Sequence, residues 1–284
     1  MAEAEDVIVD VARHATSYAQ ELLRRRRTTQ QPPKLCLLDI APRLGILLTA
    51  LHEGHYWQLR VAQPPAPVTF LDRIFRRWER PWRQFAVPSG EANVLWLPRE
   101  LDDLSHDHDA ALSLYRVIAL QQAYRAIHRN ISLLNNLNCP LQRDIYLAIE
   151  AKAADAALAH MLPGLDAPLA RLRSEALYRR PVLHHFHHER HDLERWYREI
   201  LSSPLSCKAL QPEQLVEKAQ AIAEPWRIKL ANASLYKDWW IGDWSPKDHI
   251  SSHVNESTVP PQSDDQPVRS AKLSRRPIVR PSGG

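Results

Sequence analysis

Glycine is scarce in this chain, with seven residues in 284 against 22 prolines. All-β folds consume flexible turns, so this balance favours helices separated by proline-marked breaks. So few glycines leave no Gly-rich phosphate loop, which argues against nucleotide hydrolysis by the chain itself. There is no Gly-x-Ser-x-Gly elbow and no cysteine beside a suitable histidine, so acyl transfer is not indicated. The three cysteines, Cys36, Cys139 and Cys207, are odd in number, far apart and without Cys-x-x-Cys spacing. Neither a disulfide framework nor a thiolate zinc site follows, and a reducing compartment is the natural reading. No apolar run approaches the roughly 20 residues that span a bilayer. The start, Met1-Ala-Glu-Ala-Glu-Asp6, is acidic where a secretory signal is basic, and the expected location is the cytoplasm. Neither catalysis nor a cofactor is expected.

What is present is helical periodicity. Ile8, Val11, Ala12, Ala15, Ala19 and Leu22 recur at helical spacing, with Glu3, Glu5 and Asp6 before the first turn and Arg24 to Arg27 closing the last. That charge order suits the helix dipole and explains the arginine run without a ligand. Thr28 to Pro33 reads as a linker, and Leu35 to Leu51 as a helix with a break near Pro42. Tyr56–Val61 alternates as a half-buried strand does, and Val94–Leu97 is a second strand candidate. Helices follow over Asp109 to about Leu137, from Pro140 to the Leu162-Pro163-Gly164 stop, and over Pro168–Tyr178, His187–Leu201 and Glu213–Ala223. Residues 1–246 thus form a mainly α, multi-helix bundle with a small β element. Leu235–Trp244 is aromatic enough to pack back onto it, while 247–284, without aromatics and rich in Ser, Pro, Asp and Arg, is expected to be a disordered tail. The net charge is weakly basic, 37 Lys and Arg against 33 Asp and Glu, or +4.

Four clusters carry chemistry worth weighing. His184, His187, His188 and His191 fall at i, i+3, i+4 and i+7, which on an uninterrupted helix aligns four imidazoles at spacings a metal bridges. Pro181 lies just upstream and no carboxylate is placed to orient the rings. A solvated basic helix start is the favoured reading, and these histidines are the only metal candidates. His52-Glu-Gly-His55 is one residue short of a zincin motif and reads as a turn. Ser105-His-Asp-His-Asp109 precedes a helix and suits N-capping by Ser or Asp. Phe70, Leu71, Ile74, Phe75, Trp78, Trp82 and Phe85 interleave with Arg73, Arg76, Arg77, Arg80 and Arg83. Core packing with a solvated arginine face is favoured there; a partner groove comes next, then nucleic acid or a membrane interface.

Between Leu95 and Leu201 the order of elements is more specific. A Leu97-Pro98-Arg99 strand end and an acidic break precede a Leu114-Tyr115-Arg116 helix. An Ala-rich Arg143-Asp144-Ile145-Tyr146-Leu147 helix and a Leu162-Pro163-Gly164-Leu165 stop follow. This pattern resembles the helical region of the NorD/CbbO proteins and extends, less distinctly, over residues 5–245. The resemblance implies a non-catalytic scaffold docking a hexameric MoxR-type AAA+ ATPase, which activates nitric oxide reductase or Rubisco through a von Willebrand factor A (vWA) domain. The Asp-x-Ser-x-Ser of that domain has no counterpart: Asp103-Leu-Ser105-His-Asp107 and Asp243-Trp-Ser245-Pro-Lys247 both lack the second serine. A truncated member, half of a split gene or a helical subunit working alone is therefore expected, with target binding supplied by another chain. Trp78, Trp82, Trp239 and Trp240 are the expected partner anchors. The alternatives are a basic aromatic nucleic-acid-binding module and a histidine-stripe metal-binding protein.

Overall fold

The computed structural model of the chain describes residues 35–52, 54–67, 81, 83–101, 107–134, 136–204, 211–230 and 233–243. Residue contacts group Met1–Pro246 as one unit and Lys247–Gly284 as another. The second unit, the helix expected over Ile8–Leu22 and most of the Phe70–Phe85 stripe lie outside the described residues.

The architecture is mainly α with one small sheet. Helix α1 (Leu37–Leu51) opens on Asp39, whose carboxylate accepts the Cys36 N–H at 3.0 Å. It runs unbroken through Pro42, contrary to the break expected there. Proline inside a helix removes one hydrogen bond and costs about 3 kcal/mol. Leu37, Ile40, Leu44 and Leu48, all buried along one face, hold the helix together across it. Strands β1 (Gln58–Ala62), β2 (Ser89–Glu91) and β3 (Val94–Pro98) form a sheet in the order β1-β3-β2. β1 runs parallel to β3 with Gln58 opposite Val94, and β2 runs antiparallel with Ser89 opposite Trp96. The short β2, with only Ser-Gly-Glu, carries no alternation and was invisible to pattern reading.

Helix α2 (His108–His128) starts where Asp107 accepts the Ala110 N–H at 3.0 Å, so the expected cap is the aspartate. It ends earlier than expected, and a single turn, α3 (Ile131–Leu134), follows. Helix α4 (Pro140–Met161) has Pro140 in its first turn and stops before a 3-10 turn at Pro163–Leu165. Then come α5 (Asp166–Tyr178), α6 (His191–Ser202), α7 (Pro212–Ala223) and the short α8 (Arg227–Leu230). Helices α2 and α4 form the centre: α2 packs on α1, the sheet, α4 and α5, while α4 packs on α2, α5, α6 and α7. Both are buried on nearly every side, which is why their apolar residues wrap all round instead of forming one stripe.

Three parts of the sequence meet at one carbonyl. The Arg99 oxygen at the end of β3 accepts the Leu37 N–H at 2.8 Å and the Tyr115 hydroxyl at 2.9 Å; that hydroxyl also reaches the Pro98 oxygen at 3.1 Å. The start of α1, the end of β3 and the first half of α2 are fixed to one another there.

Candidate functional site

After α8 the chain crosses the bundle as an extended strap, residues 233–243, with Leu235, Trp239, Trp240 and Ile241 buried. Aromatic rings of roughly 150–250 Å² contribute on the order of 4–6 kcal/mol each when buried, before the entropy of ordering is subtracted. Four polar clusters fix the strap in place.

At its start, the Asp144 carboxylate of α4 accepts the Ser234 hydroxyl and the Leu235 N–H, both at 2.7 Å, and pairs with Lys237. Next, the Arg180 guanidinium spans Glu194 of α6, at 2.6 and 3.0 Å, and Asp238 of the strap, at 2.8 Å. Tyr197 donates its hydroxyl to Asp238 at 2.9 Å and lies 3.8 Å below the guanidinium. Burial, then the neighbouring Asp238, keeps that phenol protonated well above its usual range. The other oxygen of Asp238 accepts the Trp240 and Ile241 amides at 3.0 and 2.9 Å, which shapes the turn.

The remaining two clusters sit on α4. Glu150 accepts from Arg125 at 2.8 Å and from Arg129 at 2.6 and 2.9 Å, and Arg125 goes on to donate to the Ile241 oxygen at 2.8 Å. Burial alone would raise the Glu150 carboxyl, but Arg129 and Arg125 together hold it down at about 2. Asp155, a turn and a half further on, accepts the Gln121 amide at 2.7 Å and the Trp240 indole N–H at 2.6 Å. Burial raises it to about 6, only partly opposed by those two hydrogen bonds and by the charges of Arg173 and Arg125. The strap ends at Gly242, whose φ of +68° suits glycine. A Cβ there would lie 2.7 Å from the Pro88 oxygen, which accepts the Asp243 N–H at 2.8 Å.

Trp239 and Trp240 are therefore interior side chains, 2% and 0% exposed, and not the surface anchors expected of them. Each indole N–H is committed inward, Trp239 to the Ala86 oxygen at 3.2 Å and Trp240 to Asp155. Trp78 and Trp82 lie outside the described residues. At the described end of the same stripe, Phe85 packs edge-on against Trp239 and Tyr236, and Arg83 pairs with Asp243 at 3.7 Å, so this end seals the strap.

The histidine stripe does not form. Leu183–His185 and His188–Arg190 are separate 3-10 turns, with Phe186 and His187 extended between them, and α6 begins only at His191. His184 and His188 are exposed, His187 faces Glu189 at 3.8 Å, and the His191 Nε2 lies 3.1 Å from the Phe186 oxygen. Among the described residues no group of three or more His, Cys, Asp or Glu is arranged to hold a metal ion. Cys36 and Cys139 are free thiols, and no described helix is long and apolar enough to cross a membrane.

Sequence reasoning missed the clamp residues Arg125, Arg129, Glu150, Asp155, Arg180, Glu194 and Asp238. A signal existed: Gln121, Gln122 and Arg125 interrupt the apolar run of α2 that begins at Val117, as Glu150 and Asp155 interrupt the Ala-rich α4. Polar groups on helices buried all round need partners from elsewhere in the chain. No protein family, curated protein or solved structure matches the chain.

Proposed function

We propose that the chain is a non-catalytic cytoplasmic adaptor that docks a MoxR-type AAA+ ATPase hexamer and assists activation of a metalloenzyme or Rubisco. The supporting observation is that the residues carrying the NorD/CbbO resemblance are joints of the fold. Tyr115 ties α2 to the Pro98-Arg99 strand end, and Asp144 ties α4 to the strap. A protein that passes the motion of an ATPase ring to a target has to move as one body, and these joints serve that end. The buried charges are committed to one another and to the strap, so they act mechanically. The grip on the target belongs to a vWA domain, whose Asp-x-Ser-x-Ser is not found among these 284 residues. Trp78 and Trp82 remain the candidate anchors for the ring.

Co-sedimentation with a purified MoxR-type hexamer, with ATP, with ADP and without nucleotide, tests the reading. Binding in at least one nucleotide state is expected, and failure in all three removes the adaptor role. An activation assay then separates the parts: the target responds only when a vWA protein is added, and full activation without one contradicts the division of labour.

A further inference from the structure

Strand β1 lies at the edge of the sheet. It pairs with β3 along one side and packs on α1, and no described strand pairs with its other side. The Gln58 N–H donates to the Asn93 oxygen at 2.8 Å, so by the alternation of a strand the N–H and C=O groups of Leu59 and Val61 face outward. Unpaired backbone groups of this kind are a template for a further strand. The side chains of Leu59 and Val61 share the core face with Leu95 and Leu97, while Gln58 and Arg60 are exposed on the opposite face. Where the chain enters β1 there is also room for apolar side chains. An open groove of about 560 Å³ is lined by Pro42, Gly45, Ile46 and Thr49 of α1 and by Tyr56 and Trp57, the two residues that lead into the strand. Ile46 is 73% exposed and Tyr56 82%. A Cβ built on Gly45 meets no atom within 4 Å, so the helix leaves space for a chain to lie against it.

From these features we infer that β1 is a docking edge for an extended segment of a partner protein with the pattern apolar–acidic–apolar. Main-chain hydrogen bonds to Leu59 and Val61 supply the attachment, and alternate side chains supply the selectivity. The partner residues opposite Leu59 and Val61 extend the core face of the sheet, which requires them to be apolar. The residue opposite Arg60 is Asp or Glu. Arg60 stands beside Trp96 of β3 and, among the described residues, bonds Gln58 at 3.2 Å and no carboxylate. Opposite charges facing one another across two strands attract, and like charges repel. A second copy of this chain is excluded on the same ground, because two-fold pairing of β1 through Leu59 and Val61 sets Arg60 against Arg60. Continued past Gln58, the docked segment enters the groove, where Ile46 and Tyr56 receive one more apolar side chain.

The test uses the full-length protein and a fluorescent peptide, Ile-Thr-Val-Glu-Val-Thr-Ile, which reads the same in either strand direction. Fluorescence anisotropy should show binding, about tenfold tighter than that of the same peptide with Lys for Glu. R60E, at an exposed side chain, should reverse this preference. G45M fills the groove without entering the core and should weaken the Glu peptide about tenfold while the melting temperature holds. Hydrogen exchange of the Leu59 and Val61 amides should slow by about tenfold at saturation, which attraction of charge alone would not produce. No binding of the Glu peptide, equal affinity for the two peptides, unchanged exchange at Leu59 and Val61, or a G45M protein that binds as before overturns the assignment. A dimer of the protein alone that the peptide dissolves overturns it too, by giving the edge to a second copy.

Discussion

Glu150 and Asp155 stand five residues apart on the same helix, both buried, and their acid strengths diverge in opposite directions, to about 2 and about 6. Burial pushes both carboxyls upward. What separates them is how close the counter-charge comes: two guanidiniums hydrogen-bond to Glu150, whereas Asp155 bonds a neutral amide and an indole and has Arg173 and Arg125 acting on it without a hydrogen bond. Loss of water raises the energy of any buried charge, and only a counter-charge reverses the sign. Both carboxylates hold the strap, Glu150 through Arg125 to the Ile241 carbonyl and Asp155 through the Trp240 indole. One clamp is ionic, and the other strains against its own charge at neutral pH.

The largest expected effect comes from removing the ionic side of this comparison. Glu150→Gln leaves Arg125 and Arg129 buried without their carboxylate, and breaking a buried pair in this way costs about 3–5 kcal/mol. Urea unfolding should show a midpoint lowered accordingly; a change under about 1 kcal/mol would mean that water or rearrangement replaces the pair.

The pH dependence of stability comes next, and the two groups contribute with opposite sign. The folded-state pKa of Glu150 is depressed, so its contribution is complete above its ordinary value of 4.5 and is lost as the pH falls towards about 2. The folded-state pKa of Asp155 is raised, so the penalty for its charge is complete above about 6 and disappears as the pH falls towards its ordinary 3.8. Each limb amounts to roughly 3 kcal/mol, and the joint contribution of these two groups is greatest between the two values, where Glu150 is ionised and Asp155 is neutral. Asp155→Asn should abolish the gain between pH 7 and pH 4 while leaving the acid loss intact. If the variant keeps that gain, another group is responsible for it.

A smaller effect is expected for Trp240→Phe, which keeps an aromatic ring but removes the five-membered ring and with it the donor to a buried carboxylate; the lost donor alone amounts to about 1–3 kcal/mol. The apparent pKa of Asp155 should rise further, because one of the hydrogen bonds opposing the shift is gone. Replacing the exposed His184, His185 and His188 with alanine should change stability by less than about 0.5 kcal/mol. Loss of several kcal/mol would show that these side chains carry contacts beyond the two 3-10 turns.

How much of this could be read in the sequence depended on the range of the signal. The ends of α4, the Asp107 cap and strands β1 and β3 follow from local rules: Pro140 in a first turn, Leu162-Pro163-Gly164 as a stop, a carboxylate before a helix, and alternation. Pro42 was misleading, because its local penalty is outweighed by four core leucine and isoleucine contacts that no local rule can see. The packing of the aromatic strap onto the bundle was legible from its composition, but its consequence for Trp239 and Trp240 was not. Large aromatics serve equally as anchors and as core, and burial decides between them. The polar residues within α2 and α4 signalled that partners were needed, but which partners was illegible: Arg180 and Asp238 are 58 residues apart, and Arg125 meets the Ile241 carbonyl across 116. Such pairings belong to tertiary structure alone.

The clamp is tested most directly by following the side-chain carboxyl carbons of Glu150 and Asp155 by NMR across an acid titration of the intact protein. Asp155 should take up its proton near pH 6, while Glu150 stays ionised at least down to pH 3. Titration of both in the ordinary carboxylate range, near pH 4, would contradict it, because neither group would then be held inside the bundle by the partners described.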